Sequence, residues 1–124
     1  MARAVAFYTG GLGLQAGRRF DSEFVEILGA GSPIDLLFKA AGTRPNEGSL
    51  EVRRYQRHWT PVHLDFVVDD IDAAVAQLQK LGAVLEMPVT NRAWGRIAGL
   101  ADPSGHGIDL LEFSDRGYDE LVRG

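Results

Sequence analysis

Hydrophobic positions along the chain recur with two different periods. The helical one is clearest after Asp69-Asp70, where Ile71, Ala74, Val75, Leu78 and Leu81 follow at turn spacing until Gly82. Either aspartate can cap this helix, and the glycine supplies its C-terminal stop. Just upstream, residues 62–68 alternate with a period of two, which sets Leu64, Phe66 and Val68 on one side of a strand and His63, Asp65 and Val67 on the other. Downstream, strands are expected over 83–87, 92–101 and 107–113, the last two joined through Asp102-Pro103-Ser104-Gly105, whose chemistry is that of a turn. The order is strand, helix, strand, strand, strand.

The first half reads as a weaker copy. Ala4-Val5-Ala6 followed by Leu12-Gly13 echoes Ala74-Val75-Ala76 followed by Leu81-Gly82. Pro33-Ile34-Asp35-Leu36-Leu37 echoes Gly107-Ile108-Asp109-Leu110-Leu111, at a period of roughly 70 residues. Between these, 17–20 and 23–28 fit a hairpin turned near Asp21-Ser22, and 29–32 fit the next turn. Met1 falls almost at the start of the first helix, so this copy lacks an opening strand. The chain divides into a first module at about 1–40, a linker at about 41–60 rich in Gly, Pro, Arg and Glu, and a second module at about 61–124, together forming one domain over 1–124.

Composition narrows the function classes. The chain has 124 residues, 45% hydrophobic and 24% charged, enough for a core without covalent staples. A formal charge of −4, with Arg53, Arg54 and Arg57 alone against an acidic whole, argues against nucleic acid as a partner. The absence of cysteine excludes disulfides, thiolate nucleophiles and cysteine zinc sites, and agrees with a cytoplasmic location. No apolar run is long enough to span a membrane, and the first eight residues lack a secretory pattern, so no membrane partner is expected. Ser104 has no nucleophile-elbow pattern around it, and Gly10-Gly11-Leu12-Gly13 ends a helix instead of opening one, which disfavours hydrolase triads and nucleotide folds.

Two tandem units, carrying Phe7-Tyr8 then Leu12-Gly13-Leu14 in the first and His63-Leu64-Asp65-Phe66 then Asp102-Pro103-Ser104-Gly105-His106 in the second, resemble the vicinal-oxygen-chelate superfamily of glyoxalases, bleomycin-resistance proteins and extradiol dioxygenases. The resemblance covers nearly the whole chain. It implies an α+β fold of two tandem βαβββ-type modules forming curled mixed sheets, the first module lacking its opening strand. It further implies a divalent metal held at the start of each unit's first strand and on its last strand. His63 and Asp109 occupy those places in the second unit and Asp35 the last-strand place in the first. The opening position of the first unit has no counterpart, and both acids are aspartate where metal-dependent members usually carry glutamate.

Strand alternation singles out the same residues independently. Ile34 and Leu36, Leu64 and Phe66, Ile108 and Leu110 form apolar faces suited to cover the helices, which leaves Asp35, His63, Asp65 and Asp109 on the opposite faces. One imidazole and two carboxylates would neutralise a divalent cation and leave positions open for an oxygen ligand, with manganese, iron or magnesium suited to the oxygens and zinc or nickel to the histidine. A metal-free cleft, with the aspartates merely facing solvent, is the other reading. Asp65 shares the His63 face and is the candidate base or orienting group. Trp94 and Arg96 offer an aromatic wall and a cationic anchor, with a dimer seam as the alternative for Trp94; Leu37, Phe38 and Leu111 are further pocket-lining candidates. Trp59 is expected to plug the join between the halves, and His106 to serve the turn. The expected function is a small-molecule-binding protein whose ligand lies in a cleft of a homodimer, like the bleomycin-resistance relatives. The alternative is a divalent-metal-dependent lyase, isomerase, dioxygenase or resistance transferase acting on a small oxygenated substrate.

Overall fold

A computed structural model describes residues 1–122. In chain order the elements are α1 (Ala2–Leu12), β1 (Gln15–Arg19), β2 (Phe24–Leu28), β3 (Ile34–Leu37), β4 (Leu64–Val67), α2 (Ile71–Lys80), β5 (Val84–Arg92), β6 (Gly95–Ala101), β7 (Gly107–Phe113) and a 3-10 helix at Gly117–Leu121. The fold is α+β, with two curled sheets: three strands in the order β1-β2-β3, and four in the order β4-β7-β6-β5. Among the described residues only β4 and β7 run parallel, which requires the α2 crossover between them, and the other pairs are antiparallel.

The periodicities explain the elements. Asp70 caps α2 by accepting the Ala73 N–H at 2.9 Å, and Asp72 in the first turn with Lys80 in the last complement the helix dipole. Ile71, Val75 and Leu78 form its buried stripe, as Val5, Phe7 and Tyr8 do for α1. The two helices pack against one another, close enough at Gly11 that an added Cβ would meet Leu78 at 2.3 Å. Together with Val25 and Ile27 from the first sheet and Phe66, Ala98, Leu100, Ile108 and Leu110 from the second, they make one continuous core. A buried hydrogen bond ties the halves, with Tyr8 Oη donating to Asp102 Oδ2 at 2.9 Å. Asp102 Oδ1 accepts the Ser104 and His106 N–H groups and so closes the turn that the sequence predicts.

Three expectations change. The strand expected at 83–87 runs on to Arg92 through Pro88, because β5 is an edge strand where a missing N–H costs no ladder bond, and its register shifts on both sides of Met87. The strand expected from 92 therefore starts at Gly95, and Ala93-Trp94 form the hairpin turn between β5 and β6. At Gly95, with φ 144°, an added Cβ would lie 2.0 Å from Glu112 O, so only glycine fits. Leu64 is half exposed instead of covered by helix, because β4 is the other edge of its sheet.

Segment 38–63 holds no helix or strand. It is clamped to the second sheet by Arg57, whose Nε and Nη2 donate to the Glu86 carboxylate at 2.7 and 2.6 Å. Trp59 does not plug the join: it is exposed, with the Arg57 guanidinium 4.3 Å from its ring centre and the His63 ring 6.2 Å away.

Candidate functional site

The parallel pairing of β4 with β7 sets Asp65 opposite Asp109, so both side chains leave the sheet on the same face. His63, two residues before Asp65, joins them there. His63 Nε2 lies 3.1 Å from Asp65 Oδ1 and 3.3 Å from Asp109 Oδ2, and one donor atom from each residue falls within 4.8 Å of the others. Two carboxylates thus compete for a single ring nitrogen. Asp109 is only 9% exposed, and its Oδ1 is buried without a hydrogen-bond partner among the described residues. Burial pushes the Asp109 carboxyl above its ordinary range; His63 opposes that shift and the charge of Asp65 adds to it. On β6 the residue opposite Asp109 is Gly99, where an added Cβ would lie 3.3 Å from Asp109 Oδ1 and 3.2 Å from Met87 Cβ, so the glycine keeps the space beside the orphaned oxygen free.

One imidazole nitrogen, two carboxylates, an unpartnered buried oxygen and a glycine beside it fit a divalent cation, whose charge the two aspartates would balance. The donor set differs from the expected one by a residue. Asp65 joins His63 and Asp109, whereas Asp35 lies outside this group, exposed on β3. It borders a separate cavity of about 1050 Å³ between the first sheet and the second, together with Leu37, Phe38, Tyr8 and Tyr55. A smaller cavity of about 380 Å³ is lined by His63, Leu64, Leu36 and Ile108. The expected pocket residues therefore divide: Leu37 and Phe38 go with Asp35, while Leu111 lies on the face of the trio, buried but outside the main core.

Trp94, at its hairpin turn, packs within the chain against Phe113 and Tyr118 at centroid separations of 5.9 and 5.0 Å, and these two rings lie 4.8 Å apart. All three contacts are edge-to-face. Arg96 points the other way. The register that sets Gly99 beside Asp109 puts Arg96 on the helix face, where its Nε and Nη2 bind the Glu112 carboxylate at 3.0 and 2.7 Å and its Nη1 binds Asp72 at 2.7 Å. Glu112 also accepts the Ile71 N–H at 2.8 Å, so this cluster anchors the start of α2.

Tyr118 was not visible as a site residue from the sequence. Its ring packs on Phe113, which leaves β7 on the same face as Asp109, and burial, followed by the charges of Asp65 and Asp109, raises its phenol above the ordinary range. It lies in the 3-10 helix beyond the repeated pattern, where no periodicity pointed to it.

Two curled sheets of this topology are those of the vicinal-oxygen-chelate superfamily. Residues 1–111 match the family described as a glyoxalase-like domain, and the chain belongs to that family. Among solved structures, the fosfomycin resistance protein FosX from Listeria monocytogenes is 17% identical with a TM-score of 0.68, over 98% of this chain and 88% of that one. TnmS3, an antibiotic binding protein from Streptomyces sp. CB03234, is 25% identical with a TM-score of 0.59, over 91% of this chain and 86% of that one. The hypothetical protein SA1046 from S. aureus is 19% identical with a TM-score of 0.64, over 90% of this chain and 87% of that one. No curated protein matches the chain. No helix among the described residues is long and apolar enough to cross a membrane.

Proposed function

We propose that this protein binds a small oxygenated molecule on the open face of its second sheet, anchored by a divalent cation held between His63, Asp65 and Asp109. The observation that carries the reading is the convergence of His63 Nε2 with carboxylate oxygens of Asp65 and Asp109, the other oxygen of Asp109, Oδ1, being buried and without a partner among the described residues. A cation there would supply Lewis acidity toward ligand oxygens. The chain's own groups do the rest. Asp65, more exposed than Asp109, is the carboxylate that would be reached by a ligand hydroxyl and could accept its proton. Tyr118, whose ring packs on Phe113, and Leu111 supply aromatic and apolar surface on this face. Val67 and Phe113, exposed on this face, suit the seam of a homodimer that would close the cleft. Elemental analysis of purified protein, with thermal shifts against manganese, iron, nickel, zinc and magnesium for the native chain and His63→Ala, tests the centre. Stabilisation by a metal, lost in the variant, is expected; indifference of the native chain to every metal would remove the proposal.

A second reading, a metal-free binder of aromatic or antibiotic-like molecules, is favoured by the Trp94, Phe113 and Tyr118 cluster and by the likeness to the antibiotic-binding TnmS3. It expects ligand affinity that survives exhaustive chelation and falls in Trp94→Ala.

A further inference from the structure

The second sheet fixes two members of the trio and leaves the third to a loop. The ladder between β4 and β7 opens with the pair Leu64 and Ile108, so Asp65 and Asp109 sit in paired main chain, while His63 belongs to the connection before β4. At Nε2 the imidazole meets the two carboxylates. Its ring also meets Trp59, which lies edge-to-face to it at an interplanar angle of 83°. Trp59 is exposed, and the group stacked on it is the Arg57 guanidinium.

Arg57 in turn is seated on the face that carries the trio. Gly107 and Asp109, two residues apart on β7, present the same face, and a Cβ added at Gly107 would lie 2.9 Å from Arg57 Nη2 and 3.3 Å from its Cζ. The guanidinium thus fills the space that a side chain at position 107 would take, one row from Asp109. There Glu86 on the edge strand β5 binds it with both oxygens, and its Nη1 donates to His58 O on its own segment. Both side chains of the pair are mostly sheltered, at 22% and 24% exposed, and the two-toothed contact fixes the plane of the guanidinium. At Gly105 a Cβ would meet Tyr55 O at 3.1 Å, so the main chain ahead of Arg57 rests on the turn between β6 and β7. Residues 55–59 therefore cross one end of the open face, touching β5 at Glu86, β7 at Gly107 and the approach to β4 at His63.

We propose that Arg57 and Trp59 are positioning residues for His63. The guanidinium, fixed by Glu86 over Gly107, holds the indole, and the indole holds the imidazole with Nε2 aimed between Asp65 and Asp109. A donor already held in its binding geometry loses less freedom when it binds, so the strap raises affinity at the trio. That consequence rests on reading the trio as a cation centre; the placing of the ring does not, because it is made by the chain alone.

The test reads the imidazole before any metal is added. In NMR spectra of the metal-free protein, with the His63 ring signals assigned by their loss in His63→Ala, those signals report the ring current of Trp59. Trp59→Leu removes that ring, and Arg57→Met releases it, so both are expected to move the His63 signals in the same direction with the far-UV spectrum unchanged. Gly107→Ala keeps Arg57, Trp59 and Glu86 and sets a methyl group where the guanidinium lies; the flexible side chain yields, and the His63 signals should move as in Arg57→Met. Manganese binding by calorimetry should weaken about tenfold in all three variants. His63 signals that keep their native positions in Arg57→Met and Gly107→Ala overturn the proposal, whatever the metal does. Displaced signals with native manganese affinity also overturn it, since the ring then needs no placing in order to bind. Displaced signals in a protein whose native chain binds no manganese uphold the placing of His63 and count against the cation centre instead.

Discussion

Asp35 and Asp109 occupy the same place in the same four-residue repeat, yet one is exposed and without a histidine neighbour while the other is buried against His63. The difference is not in the residue or its own strand. It lies in β4, which runs beside β7 and carries His63 and Asp65 to Asp109, whereas among the described residues β3 is paired with β2 alone. A cluster of donors of this kind is a property of a strand pair, and repetition of one strand's sequence reproduces only half of it. The same neighbour accounts for the core: β4 seals Leu110, and its absence leaves the counterpart Leu36 half buried.

The largest effect that can break this comparison is in packing. Leu110→Ala is expected to cost about 2–5 kcal/mol, the range for a fully buried leucine with little room to relax, whereas Leu36→Ala should cost about 1 kcal/mol, since half its surface is already in water. Urea unfolding of the two variants measures both, and equal losses would show that the two positions are sealed alike. Next comes the metal. At a concentration about a hundredfold above its dissociation constant, a bound cation adds about 2.7 kcal/mol to stability. Asp109→Asn should abolish that gain and Asp35→Asn should leave it whole, by thermal unfolding with and without manganese. An equal loss in Asp35→Asn would place Asp35 at the centre after all.

Tyr8→Phe probes the join between the halves. It strips Asp102 Oδ2 of its buried partner and is expected to cost about 1–3 kcal/mol. Burial and the adjacent Asp102 hold the Tyr8 phenol far above its ordinary range, so above about pH 10 the unfolded chain loses a proton that the folded chain keeps, and stability falls. The variant should lack that alkaline decline.

Much of this arrangement was legible in the sequence. The helix from Ile71, the turn at Asp102 and the repeat were each written in local periodicity, and period two alone placed His63 and Asp65 on one face. Alternation along its own strand, and the last-strand place that the superfamily resemblance implies, added Asp109. What could not be read was register across strands. The pairing that sets Gly99 beside Asp109 and turns Arg96 toward α2 depends on the bulged β5 and the Ala93-Trp94 hairpin, whose position Pro88 disguised as a strand end. Arg96 was therefore assigned to the cleft when its charge is taken up by Glu112 and Asp72. Tyr118 lay outside any repeat, and only the folded chain brings it near the carboxylates.

The smallest expected effect concerns the helix face of the second sheet, which has no equivalent in the first. Arg96, together with the Ile71 N–H, holds the Glu112 carboxyl below its usual range. A group whose folded value is depressed contributes stability that is fully present above its unfolded value, near pH 4.3, and is lost as the pH falls through the folded value. The native chain should therefore lose stability on acidification below about pH 5, with part of that loss belonging to Glu112. Glu112→Gln keeps the side-chain length and removes the titration, so its stability curve should be flatter between about pH 5 and 3, with a small deficit at neutral pH because Arg96 retains Asp72. Parallel curves for variant and native chain would show that Arg96 leans on Asp72 alone, and that the anchoring of α2 does not run through Glu112.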